Sequence, residues 1–361
     1  MDDSDLYLRK RDDLPGIPAN SKISAESYST VVDELLPALA ITTTSSSSLS
    51  RPSLLVLPNE VLDHVFAFLG SEPPSARNLV QLPSRDWTIS HQVPLKALST
   101  TSHHIRAIVL HRLFRHSRLD PCQLTPFLEF INRSDLARSI ESIVAHISAL
   151  QDCFHPAWYV RLLNEVPLTR LVVGCEPHLF AGITGIRMDL TDRWAFDIPY
   201  QYLEVRQSAS EAIRQSSYDY LPGLLGIKHW SSVTVNEGSS LAAYTSYQHF
   251  LKKPPSLFSN VHICLSSIPL NATPEGLREL FPETSTQITL VQEMLQNLRD
   301  FSFVAVFPFY NHVDDILKCI RRMRNLESLF IKLCPEAGST VLDDGLRAAG
   351  SHIDLNDPWN E

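Results

Sequence analysis

Apolar residues recur at helical spacing through "LLVLPNEVLDHVFAFLG", residues 54–70. Leu57, Val61, Leu62, Val65, Phe66 and Leu69 follow one another at steps of one, three and four, which predicts a helix with one broad apolar face. Pro58 suits the first helical position, because the amide it lacks would find no partner there. Glu60 falls in the first turn, where the helix dipole favours an anion. Gly70 is a natural residue just past a helix end. A polar, proline-containing segment, 71–93, comes next. Two shorter stripes follow it: Leu95 with Leu98, then Ile105, Ile108, Val109 and Leu113. Ser99 or Ser102 is expected to cap the break between them. Residues 54–119 therefore read as a helical unit with an insert at about 70–93.

From about residue 120 the pattern changes to short strand-like runs alternating with amphipathic helices. In 313–324, Val313, Ile316, Leu317, Ile320 and Met323 share a face, and 287–298 is a second helix of the same kind. A strand-like run follows each. The runs share a phase: Leu298, Phe301 and Phe303, then Leu326, Leu329 and Ile331, 28 residues on. Ile140, Ile143 and Ala145 precede Leu168, Leu171 and Val173 by the same step, as Trp230, Val233 and Val235 precede Phe258, Val261 and Ile263. In a chain that is 44% hydrophobic, about 20 matches to so generic a spacing arise by chance. The weight rests on the strand-like composition and the helices between. A strand-plus-helix unit of 20–29 residues is the leucine-rich-repeat period. The longer intervals, 168–230 and 258–298, predict an irregular solenoid over 120–361.

Residues 1–53 read as a disordered leader, ending in a hydroxyl-rich tract with little apolar surface to bury. Within it, 29–40 predicts at most a transient helix broken at Pro37.

Composition narrows the function classes. The 361 residues carry a formal charge of -9, which argues against general nucleic-acid binding. With 12 glycines the chain has no G-x-G-x-x-G, no phosphate-binding loop and no G-x-S-x-G, so the commonest nucleotide-binding and hydrolase architectures are disfavoured. No cofactor and no metal site are expected. The histidines and arginines of 103–118 have poor spacing for one metal site and read as a solvated basic face. Asp189, Asp192 and Asp197 around Trp194 read as loop charges, and 307–312, "FPFYNH", as an aromatic turn covering the core. The six cysteines are scattered without a C-x-x-C pair, which fits reduced, mostly buried thiols. No signal-peptide core and no run of about 18 apolar residues is present, so a cytoplasmic or nuclear protein that does not enter membranes is expected.

"LPNEVLDHVFAFL" resembles the first helix of an F-box, which begins Leu-Pro, carries Glu two residues later and continues with aliphatics at helical spacing. Leu57, Pro58, Glu60, Val61, Leu62, Val65 and Leu69 fall on the matching positions. Leu95 and Leu98, then Ser102, Ile105, Arg106 and Ile108, resemble the second and third helices. The ending "LFRHSRL" is similar to the tail of many fungal F-box proteins. About 45 residues are covered, in two blocks. The long insert, Thr101 in place of valine and Ile105 in place of an aromatic depart from the pattern. A loop of that length adds only about 1–2 kcal/mol of closure entropy. The resemblance implies an α+β chain: a three-helix F-box module, then an irregular α/β leucine-rich-repeat-like solenoid. It implies docking onto a Skp-type adaptor and through it a cullin, with a protein substrate held by 120–361. The chain would be a substrate receptor of an SCF-type ubiquitin ligase, not an enzyme. The alternatives are a scaffold that binds the adaptor outside any ligase, and an uncharacterised enzyme with a deep polar pocket. Leu57, Pro58, Glu60, Val61, Leu62, Val65, Leu69, Leu95, Leu98 and Ile105 are the candidate partner contacts or their immediate support. Some of them must face the internal core, and spacing does not sort them.

Overall fold

A computed structural model describes residues 56–69, 73, 75–83, 93–147, 158–184, 200–208, 223–239, 292, 294–306, 308, 310–340 and 343. The leader, the acidic cluster around Trp194 and the Phe258, Val261, Ile263 phase lie outside them. Contacts divide the chain between Ser53 and Leu54, and every described residue belongs to the second unit.

Helix α1, Asn59–Ala67, begins one residue later than the spacing predicts, so Pro58 is its N-cap, and the Pro58 carbonyl accepts from the Val61 and Leu62 amides. A single helical turn, α2 (Ser75–Asn78), lies within the insert. Helices α3 (Val93–Ser99) and α4 (His103–Phe114) follow. Ser102, not Ser99, caps the break, its hydroxyl accepting from the Ile105 amide at 3.1 Å. Leu62, Phe66, Leu95, Ile105 and Val109 bury one another in a small core of their own, flanked by Leu98, Ile108 and Leu113.

Among the described residues seven strands form one mixed sheet in sequential order: β1 (His116–Leu119), β2 (Ser142–His146), β3 (Arg170–Cys175), β4 (Gln201–Arg206), β5 (Ser232–Ser239), β6 (Asp300–Val306) and β7 (Ser328–Lys332). β1 lies inside the span read as helical, so α4 passes into the sheet without a linker. β1, β2 and β3 are parallel, as are β5, β6 and β7. β4 pairs antiparallel with both β3 and β5, bridging the two parallel halves.

The shared phase has a direct structural meaning. Ile143, Leu171, Val205, Val233, Phe301 and Leu329 pair in one row, and Ala145, Val173, Leu203, Val235, Phe303 and Ile331 in the next. Parallel strands in sequential order each need a crossover, and a 28-residue step carries the chain from Ser142 to Arg170 and from Asp300 to Ser328. The two rows, the exposed Leu329 excepted, share one large core with helices α5 (Leu124–Arg133), α6 (Trp158–Glu165), α7 (Pro177–Thr184) and α8 (Tyr310–Ile320), together with Leu295 and Leu298. The "FPFYNH" turn is thus partly helix: Tyr310 and His312 belong to the first turn of α8, and His312 is buried.

The thiols depart in part from expectation. Cys175 is free and buried, Cys319 is buried, Cys334 is free and exposed, and Cys122 is disulfide-bonded, a pairing that spacing along the chain does not reveal. Burial, then the charge of Glu176, pushes the Cys175 thiol well up.

Candidate functional site

Two surfaces invite a partner. The first is on α1. Its Leu62 and Phe66 point into the small helical core, while Val56 and Phe68 stand 79% and 80% exposed, and Leu57, Val61, Val65 and Leu69 about 40%. The ten candidate contacts are thereby sorted. Leu57, Pro58, Glu60, Val61, Val65 and Leu69 are on the outside, Leu98 is half-buried, and Leu62, Leu95 and Ile105 are internal support. Val56 and Phe68 add to the exposed ridge. Both lie within residues 54–70, but just past each end of the helix, where periodicity gives no signal. Asp63 and Arg112 fasten α1 to α4 through two parallel bonds of 2.7 Å, Nε to Oδ1 and Nη2 to Oδ2. That pairing holds the Asp63 carboxyl below its usual range, and Arg112's own charge and those of His64 and His111 add to the effect, against burial.

The basic stretch 103–118 is more engaged than a solvated face would be. Besides the Arg112 pair, Arg115 lies 2.9 Å from Glu141, His111 Nδ1 bonds Ser139 at 2.8 Å and His116 Nδ1 bonds Ser142 at 2.9 Å. No group of three or more potential ligands that could hold a metal occurs among the described residues.

The second surface is the sheet face opposite the helices. Pairing sets three rows on it. One runs Ser142, Arg170, Arg206, Ser232, Asp300, Ser328; the next Val144, Val172, Glu204, Thr234, Ser302, Phe330; the third His146, Gly174, Tyr202, Asn236, Val304, Lys332. These positions alternate with the core phase, so the face is polar where its reverse is apolar. At its centre the Glu204 carboxylate is buried, with Arg170 Nε on Oε1, Arg206 Nη2 on Oε1 at 2.8 Å and the Thr234 hydroxyl on Oε2 at 3.1 Å. Burial pulls the Arg170 guanidinium below its ordinary range, against the opposing charge of Glu204. A buried pair of this kind is held by its extra hydrogen bonds, because desolvation offsets much of the attraction.

The insert lies across this face. Leu79 is buried among Val144, Val172 and Tyr202. Asn236 Nδ2 donates to the carbonyls of Leu79 at 2.7 Å and Gln81 at 2.6 Å, and Lys332 Nζ donates to that of Val80 at 2.9 Å. Arg170 Nη1 donates to the Ser75 hydroxyl at 2.8 Å. The bulge between Asn236 and Ser239 aims the asparagine, whose Oδ1 accepts from the Gly238 amide at 3.0 Å. Gly238 takes φ +78°, a conformation that favours glycine. Gly174 lets Tyr202 close the leucine pocket: a Cβ there would stand 2.8 Å from the ring's Cδ1 and nearer still to Cε1. Beside the insert, Glu204, Arg206, Thr234, Arg299, Ser302 and Glu327 line a polar recess of about 690 Å³. Sequence patterning misses this whole surface, because its donors alternate with the core residues on strands and meet the insert only in three dimensions.

Glu237 and His312, 2.8 Å apart, are both fully buried. They face each other between α8 and β5 away from solvent, without hydrogen-bond geometry. No helix among the described residues is long and apolar enough to cross a membrane.

Fold and surfaces define an α+β protein with helices on one face of a mixed sheet and a polar, partly covered opposite face. No protein-family model, curated protein or solved structure matches the chain.

Proposed function

We propose that this chain is a substrate-receptor subunit of an SCF-type cullin–RING ubiquitin ligase, docking a Skp-type adaptor through an F-box at residues 54–119 and a target protein through a leucine-rich-repeat-like domain beyond. The observation that carries the reading is the apolar ridge on α1. Val61 and Val65 on α1, with Val56, Leu57, Phe68 and Leu69 just beyond its ends, are exposed, while Leu62 and Phe66 of the same helix fill its own core. A contiguous ridge of this kind marks a protein contact. About 800 Å² buried on this side would make an ordinary stable interface. The sequential, mainly parallel strand order and the 28-residue steps support the repeat reading, with β4 as its irregularity. The mechanism is positional: the chain performs no chemistry and holds a target near a ubiquitin-loaded enzyme, raising effective concentration.

Affinity purification under proteasome inhibition, comparing the wild type with Leu57→Ala/Pro58→Ala, tests the assignment. The wild type should recover adaptor and cullin, and the double variant neither. Adaptor without cullin would place the chain outside a ligase, and undiminished recovery by the variant would remove the F-box assignment.

A further inference from the structure

We propose that the polar sheet face is a peptide-binding groove that the chain's own segment 75–83 occupies in cis. Its partner in trans is a short peptide with a polar oxygen at one position and a leucine four residues later. The groove is then the substrate site of the receptor proposed above, and the substrate's role rests on that reading.

The grip on the segment is the grip on a ligand. Leu79 is an apolar anchor in a pocket made by three strands. Three successive carbonyls, of Leu79, Val80 and Gln81, accept from side chains of β5 and β7. Side-chain donors grip the main-chain carbonyls of the turn that follows α2, a turn closed by the Gln81 amide donating to the Asn78 carbonyl at 3.0 Å. The Ser75 hydroxyl, four residues before the leucine, meets Arg170. The strands themselves shape the groove: Asn236 is oriented by its Gly238 contact, and the missing side chain at 174 leaves room for the Tyr202 ring. Arg170 keeps Nη2 without a partner although its side chain is only 8% exposed. A recess of about 690 Å³ lies along two of the same rows, lined by Glu204, Arg206, Thr234 and Ser302 among others. The segment's anchor belongs to a cluster separate from the core of α1, α3 and α4, so its departure leaves that core intact. A tethered segment competes at an effective concentration of the order of millimolar, which keeps weak ligands out and sets a threshold for real ones.

The test uses the full chain, without adaptor, and a fluorescent peptide of residues 73–83, PPSARNLVQLP, read by anisotropy. Leu79→Asp should bind it at least tenfold more tightly than the wild type, and adding Asn236→Ala to that variant should weaken binding at least tenfold. Equal binding by wild type and Leu79→Asp, or indifference to Asn236→Ala, overturns the proposal. Should Leu79→Asp fail to fold, hydrogen exchange of the wild type decides. Amides of 79–81 exchanging faster than those of β3 and β5 support a segment that opens by itself, and equal protection overturns it. Because no adaptor is present, these results stand apart from the outcome of the ligase assignment.

Discussion

At the scale of single residues, burial rather than sequence decides behaviour. His116 shows this most clearly. Burial first, with the charges of Arg115 and Arg170 adding and Glu141 opposing, lowers its imidazole from 6.5 to about 4. The folded chain therefore keeps this histidine neutral where the unfolded chain would protonate it. Protons bind the unfolded state more readily between those values, so stability is complete above about pH 6.5 and declines as pH falls towards 4. His116 is only half-buried, so after allowance for solvent screening the loss is on the order of 1–2 kcal/mol. Urea midpoints at pH 7.5 and pH 5 for the wild type and His116→Gln measure it. The variant should lose less stability on acidification, and equal losses would contradict the assignment. "RHSRL" shows only the neighbouring Arg115; the main cause, burial in the sheet, and the charge of Arg170, two strands away, are not visible in it. The same holds for Gly174 and Asn236. Each looks unremarkable in its strand, and each shapes the leucine pocket from across the sheet.

At the scale of elements, periodicity recovers what repeats and loses what does not. Five of the strand-like phases are strands in one shared register; a 28-residue step returns the same face to the same side from β2 to β3 and from β6 to β7, and β5 keeps that register beside β6 without such a step. β1 resembles the tail of a helical unit in sequence, since the four residues of "HSRL" carry too little alternation to separate a strand from a helix end. β4, "QYLEVR", turns Leu203 and Val205 to the core and Tyr202 and Glu204 to the other face, and it runs antiparallel; Tyr200, Leu203 and Val205 carry the same spacing, but no matching run 28 residues away marks them. The insert is legible in sequence only as a loop. Its role depends on partners as distant along the chain as Asn236 and Lys332. Of the ten candidate contacts, helical spacing finds the apolar residues on α1 but cannot divide them, because a side buried in the chain's own core and an exposed side show the same spacing. The Asp63–Arg112 fork makes a prediction here. Arg112→Ala should cost only about 0.5–1 kcal/mol, as both groups reach solvent, yet it removes the fastening of α1 to α4. Amides of α1 should exchange faster while those of β3 stay unchanged; unchanged exchange in α1 would show that the fork does not hold the helix.

At the scale of the whole second unit, one sheet divides two tasks. Its apolar face carries the helices and the large core. Its polar face carries the buried Glu204 network, the recess and the covering segment. The α1 ridge is elsewhere, on a helix whose core is separate from both. The proposed receptor role assigns one of these surfaces to an adaptor and the other to a target. The central claim is that the ridge on α1 is the adaptor surface. Calorimetric titration of a purified Skp-type adaptor into the wild type and into Val61→Asp/Val65→Asp tests it most directly, because both valines are exposed and the substitutions leave Leu62 and Phe66 in place. The wild type should bind saturably, and the variant should lose at least tenfold in affinity, about 1.4 kcal/mol. No binding by the wild type, or equal affinity in the two, would contradict the claim.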